Sequence, residues 1–361
     1  MTEGFQTVLA ASGKERRDLF VGAADRLRTN EQNIEKDFWV CWTLGALFNE
    51  LEAGGPRLLF KGGTSLSKCY GLIERFSEDI DITVFREDIG QPATVEELEA
   101  LSGKKRNNRL EAIKAACQEY IHGPMLEQLS ALLRQTLQTA NLKADRARVE
   151  ADPDDPDRQS LLLWYPTATT EGNAYIRRAI KIESGAKSAL DPHAPVVVKP
   201  YIADDLPSFD LTVGNVTTVS PSRTFWDKVV ILHGLRRWWD RRGELKGGGQ
   251  RVSRHYYDVY RLLASEIGQN ATGDMAMAED CVRHARMFFN RPDLDLASAT
   301  PGSFALTPHD GMLADLRRDY EAMSGMVFGP IPSVDQVVAA IAELEQRLNI
   351  DLRQSPRADE K

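Results

Sequence analysis

The run Phe60 to Val84, FKGGTSLSKCYGLIERFSEDIDITV, sets the tightest condition on how this chain can fold. Asp79 and Asp81 flank Ile80, and Ile82 and Val84 continue the alternation, so the segment reads as a strand with one apolar face. Strand side chains alternate faces, which leaves Asp79, Asp81 and Thr83 on the other side. Two carboxylates about 7 Å apart on one face repel each other unless water or a cation lies between them. Oxygen ligands paired in this way suit Mg²⁺, although a sheet edge facing water shows the same alternation.

The residues before this strand add a second condition. RLLF reads as a short strand, Gly62-Gly63 as a turn and TSLSKCYGLI as a helix. Glycines between a strand and a helix let the backbone approach an anion closely, and the helix start offers unpaired N–H groups. Thr64, Ser65 and Ser67 add hydroxyl donors. A phosphate-holding turn ahead of paired carboxylates places a nucleoside triphosphate beside its metal ions. A third carboxylate is expected from YIRRAIKIES, where Lys181 and Glu183 share a face opposite Ile180 and Ile182. Glu183 at the strand's end could complete a two-metal site or activate an attacking hydroxyl, and a surface Lys-Glu strand edge is the plain alternative.

Elsewhere the pattern gives an organisation. The first fifty residues read as helices, ending in NIEKDFWVCWTLGALFNEL. Two polar helices are expected from Thr94 to about Leu142, followed by a hairpin whose tip is the acidic segment Asp152 to Asp157, and then by further strands. From Ser220 onward nearly every segment has helical period, so the chain is divided into residues 1–219 and a helical domain 220–361. The tail RQSPRADEK reads as disordered. No segment approaches the roughly 20 apolar residues of a membrane span, and no signal peptide is evident, which points to a cytoplasmic protein. Cys41, Cys69, Cys117 and Cys281 are too scattered for a zinc cluster or a redox pair. The net charge of −8 argues against a protein that coats nucleic acid. RRWWDRR is a local exception. Arg236, Arg237, Arg241 and Arg242 with two tryptophans could bind RNA phosphates and stack on bases, or could form a solvated helix end with the tryptophans turned inward.

The Gly62-Gly63-Thr64-Ser65 turn, SEDIDI and the Glu183 strand resemble the polymerase-β-like nucleotidyltransferase superfamily. KGGTSLSK, SPSRTFWDKVVILH (Ser220 to His233) and RHYYDVYRL (Arg254 to Leu262) narrow this: the chain is similar to the AbiEii/AbiGii-type, or MenT-like, toxin nucleotidyltransferases of bacterial toxin–antitoxin and phage-defence systems. The similarity covers roughly residues 30 to 265. It implies an α+β fold, a polymerase-β-like domain with a mixed sheet followed by a mostly helical domain. It also implies Mg²⁺-dependent transfer of nucleotides from an NTP to the 3′ acceptor end of tRNA, blocking translation, and a cognate antitoxin. Asp79, Asp81 and Glu183 would hold two Mg²⁺ ions, and Gly62, Gly63, Thr64, Ser65 and Lys68 the triphosphate. Lys228 and Asp258 match the lysine and aspartate that the family's helical domain supplies. The helical wheel sets Lys228 among Thr224, Ile231, Leu232 and Leu235, so its ammonium is expected to reach into a cleft. Asp258 has Arg254 and Arg261 at i−4 and i+3, which a surface ion-pair ladder would also explain. Two rivals remain, a transferase acting on a small molecule or protein hydroxyl, and a non-catalytic RNA- or protein-binding module. Phosphate on Ser77 would oppose nucleotide binding at the adjacent carboxylates.

Overall fold

The computed structural model describes residues 2–143, 146–170, 177–249 and 251–350. The C-terminal tail segment read as disordered lies outside them. The chain divides into two compact units, Met1–Ser220 and Pro221–Lys361.

The first unit opens with three helices, α1 (Glu3–Ala10), α2 (Gly13–Leu27) and α3 (Glu31–Gly45). Ser12 and Glu15 form a reciprocal cap that starts α2, and the Asn30 side chain accepts from the Asn33 N–H to start α3. Strand β1 (Leu58–Lys61) runs directly into the short helix α4 (Gly62–Lys68), and β2 (Ile80–Val84) follows. Helices α5 (Val95–Glu99), α6 (Gly103–Tyr120) and α7 (Leu126–Thr139) lead to the hairpin β3 (Arg148–Ala151) and β4 (Ser160–Trp164), then to β5 (Ala179–Glu183), β6 (His193–Val198) and β7 (Val213–Val219). All seven strands form one mixed sheet in the order β3-β4-β5-β2-β1-β7-β6.

That order brings distant sequence together. β2 lies between β1, antiparallel to it, and β5, parallel to it. Ile80, Ile82, Ile180 and Ile182 are all fully buried on one side. Each such burial contributes about 1.5–3 kcal/mol, which is what pins the register and thereby the polar residues between them. Asp79, Asp81, Lys181 and Glu183 are half-buried, as the alternation requires, whereas Thr83 on the same face is covered completely.

The main elements of the second unit, among its described residues, are the helices α8 (Pro221–Arg242), α9 (Ser253–Leu263), α10 (Glu266–Ala271), α11 (Met275–Phe288), α12 (Asp310–Met323) and α13 (Val334–Ile350). α8 buries Phe225, Trp226, Val229 and Leu232, and the Trp226 indole donates to the Ala271 carbonyl at 2.9 Å. Among the described residues no helix is long and apolar enough to cross a membrane.

Candidate active site

The site grows from the glycine turn. Gly62 has φ +81°, a conformation that costs an L side chain steric strain. A Cβ there would also overlap the Asp81 carboxylate, and one on Gly63 would overlap the Arg75 guanidinium. Gly62 therefore has to be glycine for the turn to lie against Asp81, whereas at Gly63 only the flexible end of the Arg75 side chain would have to move. The antiparallel register sets Lys61, the last residue of β1, opposite Asp81, with their charged atoms 4.0 Å apart.

On the other side of β2 the parallel register pairs Asp81 with Glu183 and Ile80 with Ile182. Residues paired in register point to the same face, so Glu183 stands beside Asp81 rather than across the sheet from it. The Lys181 ammonium lies 2.8 Å from Glu183 and 3.5 Å from Asp152. Burial works against its charge, but Glu183, Asp152 and Asp79 outweigh it and hold Lys181 above the ordinary lysine range.

The hydroxyls expected to meet phosphate serve the turn instead. Thr64 Oγ donates to the Asp79 carbonyl and lies 2.8 Å from Ser77 Oγ, and Ser65 Oγ donates to the Gly62 carbonyl at 2.9 Å. Both residues are fully buried. Thr64 thus ties the turn to the backbone that carries Asp79.

Lys68 is not brought to this face. Its ammonium is buried, 2.6 Å from Asp37 and 3.7 Å from the centre of the Tyr201 ring. Burial alone would lower its pKa, and the Asp37 carboxylate reverses that and holds the lysine charged. The expected contact with triphosphate is replaced by an internal one.

In the second unit the geometry joins two residues that their own helices read separately. Lys228 Nζ lies 2.8 Å from Asp258 Oδ2 in a pair that is 7% and 0% exposed. Asp258 is therefore a buried partner of Lys228 rather than a rung of a surface ladder with Arg254 and Arg261. The four arginines at the end of α8 also have acidic partners. Arg236 and Arg237 face Asp240, Arg237 and Arg241 face Asp295, and Arg242 lies 2.6 Å from Asp293. The surface read as a phosphate-binding patch thus has three aspartates of its own unit among its four arginines.

Sequence reasoning placed Lys181 on the face of Glu183 but missed Arg75 beside the glycine turn and Asp152 as a partner of Lys181. Asp152 was assigned to a hairpin tip, and it is, but the register Ala151↔Leu161 and Ser160↔Glu183 carries that tip back beside Glu183. The signal was present only in the strand pairing.

Among the described residues no three His, Cys, Asp or Glu side chains are already gathered as metal ligands. The donor set nonetheless fits a hard divalent cation: Asp79, Asp81 and Glu183 supply carboxylate oxygens from neighbouring strands, half-exposed, with a lysine ammonium already drawn among them.

Two layers of comparison follow from this architecture. A mixed α+β sheet with an acidic face beside a glycine turn, followed by a helical unit, is the plan of a nucleotidyltransferase. Residues 45–340 match the family model described as the nucleotidyl transferase AbiEii toxin of type IV toxin–antitoxin systems, and the chain belongs to that family. Among solved structures it is similar to MenT4, a nucleotidyltransferase toxin from Mycobacterium tuberculosis H37Rv, at 16% identity over 92% of this chain and 97% of that one, with a TM-score of 0.42. At that score the likeness adds nothing to the family assignment. No curated protein matches the chain.

Proposed function

We propose that this toxin transfers nucleotides from an NTP to the 3′ acceptor end of tRNA, blocking translation, with Asp79, Asp81 and Glu183 as its catalytic carboxylates. The observation that carries the reading is the parallel register of Asp81 with Glu183 beside a turn whose Gly62 must lack a side chain.

Asp79, Asp81 and Glu183 would hold Mg²⁺, which when bound supplies Lewis-acid stabilisation of the phosphoryl charge. The chain's own contribution is positional. The lack of side chains on Gly62 and Gly63 brings the turn's backbone directly against Asp81 and Arg75, where its N–H groups would meet phosphate oxygens. Lys181 balances the carboxylates, with Asp152 as its second partner. Glu183, the most exposed of these partners at the strand end, is placed to orient or deprotonate the acceptor hydroxyl that attacks the α-phosphate and expels pyrophosphate. Lys228 and Asp258 enter as a buried pair whose integrity keeps the second unit folded, and their further role in transfer rests on the family motif. The family pairs each toxin with an antitoxin, which supports a protein partner.

The test is direct. The protein is incubated with Mg²⁺, each of the four α-labelled triphosphates in turn, and total RNA or whole lysate. Label in RNA that maps to tRNA 3′ ends is the expected result. Label in protein or in small molecules would assign the same site to a different acceptor, and absence of label in all fractions would favour the binding-module reading.

A further inference from the structure

The third helix carries a feature that neither its stability nor the transfer site explains. Glu35, Lys36 and Asp37 are consecutive, so they point about 100° apart around α3, yet each is only 2% exposed. A helix with three adjacent charged residues normally turns at least one to water. Here protein surrounds α3 on every side, and each charge meets a different segment.

Glu35 accepts hydrogen bonds from the Ala168 and Thr169 N–H groups and the Thr169 hydroxyl. Lys36 Nζ donates to Glu78 at 2.7 Å and to the Arg177 carbonyl at 2.9 Å. Asp37 accepts from Lys68 Nζ and from the Tyr201 N–H, each at 2.6 Å. These contacts fall at telling places. Glu78 immediately precedes Asp79, Arg177 lies two residues before the strand that ends in Glu183, and Lys68 is the last residue of the helix that begins at Gly62. One ammonium therefore sets the spacing between the approaches to β2 and β5, the two strands whose register joins Asp81 to Glu183. The neighbouring carboxylate clamps the far end of the glycine-turn helix onto Tyr201.

Stability does not account for this. Buried ion pairs pay a desolvation penalty, and well-packed apolar residues of the same volume often stabilise as much or more. What an apolar replacement lacks is direction: it cannot hold two backbone segments at hydrogen-bond length. We propose that Lys36, through Glu78 and Arg177, is a positioning residue for the carboxylate face, and that Asp37, through Lys68, is a positioning residue for the glycine turn. The proposal rests on reading Asp79, Asp81 and Glu183 as the transfer site.

Two charge-neutral double variants test it, because removing a cation and an anion together leaves the net charge near the site unchanged. For Lys36→Met/Glu78→Met the expected result is a melting temperature within a few degrees of wild type, affinity for Mn²⁺ measured by calorimetry at least tenfold weaker, and a kcat reduced by a similar factor with KM for the triphosphate nearly unmoved. For Asp37→Leu/Lys68→Met the expected split is the reverse, a raised KM with Mn²⁺ affinity retained. A merely structural role would lower the melting temperature in both and leave no such split. If that pair does not fold, Lys36→Leu/Glu78→Leu is also charge-neutral and carries the same expectation. Wild-type Mn²⁺ affinity and kcat in a folded Lys36/Glu78 double variant would overturn the proposal. Asp79→Asn and Asp81→Asn run beside it: if they transfer normally, the site reading is what fails, and if they are inactive while both double variants are normal, only the positioning claim is lost.

Discussion

The sheet face of the first unit and the end of α8 in the second are both dense in charge, but they are built on opposite plans. At the end of α8 each arginine faces an aspartate of its own unit, and the signs alternate as they do on a solvated surface. On the sheet face Asp81 and Glu183 stand side by side in register, with Asp79 one alternation away and Asp152 carried in by the hairpin. Lys181 and Lys61 offset part of the repulsion among these carboxylates, and burial of the isoleucines behind them fixes their positions. A face this rich in carboxylates supports the cation-binding reading proposed for it.

Substitutions can break that contrast, and the largest effect should come from the carboxylates. Asp79→Asn and Asp81→Asn are expected to reduce nucleotide transfer by about 10²-fold or more while the chain stays folded, as judged by circular dichroism and thermal melting, since removing one of two like charges relieves repulsion. Near-normal transfer in both variants would remove the catalytic reading of the sheet face.

In the second unit the Lys228–Asp258 pair is the sharpest counterpart. Asp258→Asn or Lys228→Met alone leaves one buried group without its opposite charge and should cost about 3–5 kcal/mol in chemical denaturation. A combined Lys228→Met/Asp258→Leu variant should recover much of that stability. Recovery of stability without recovery of transfer would show that the pair acts in the reaction as well as in the fold.

Gly62→Ala comes next. The left-handed backbone and the overlap with Asp81 together predict a loss of about 1–3 kcal/mol and a clear fall in transfer, read from denaturation curves and turnover. Wild-type behaviour would mean that the turn is looser than its contact with Asp81 implies.

Smaller again is the response of the arginine cluster. Because Arg241 and Arg242 have carboxylate partners at an exposed helix end, Arg241→Glu/Arg242→Glu should change stability by under about 1 kcal/mol and leave RNA affinity and its salt slope nearly unchanged. A marked fall in affinity with a flatter salt dependence would make this end an RNA contact and erase the contrast.

The mildest prediction concerns pH. His233 is buried, its Nδ1 accepting from the Ala305 N–H at 3.1 Å, and burial lowers its pKa from the ordinary 6.5. A depressed folded-state value means that the unfolded chain takes up the proton first. Stability of the second unit should therefore decline as pH falls through and below 6.5, and His233→Gln should flatten that decline in denaturant midpoints measured between pH 7.5 and 5.5.

How far the sequence carried can be judged residue by residue. The strand-glycine-helix-strand order from Leu58 to Val84 was legible because period, glycine placement and side-chain alternation are local properties. So was the common face of Lys181 and Glu183, and so was the change to all-helical pattern beyond Ser220. Lys68 was misplaced for the same reason: within its own segment a lysine six residues after a glycine turn looks like a phosphate ligand, and nothing local announces Asp37 or Tyr201. Asp258 shows the same limit, since its helical neighbours are arginines while its true partner stands thirty positions earlier in the chain.

By itself, then, the sequence determined which faces are apolar, where the backbone can turn tightly and which residues carry charge, because those depend on neighbours a few positions apart. Only the tertiary structure decided which charges meet. The register that sets Asp81 beside Glu183, the hairpin that returns Asp152 to them, and the burial of Lys36 and Lys68 around α3 all depend on how the strands and helices pack. Pairing between distant segments follows from the packing of the whole apolar core, and no local pattern encodes it.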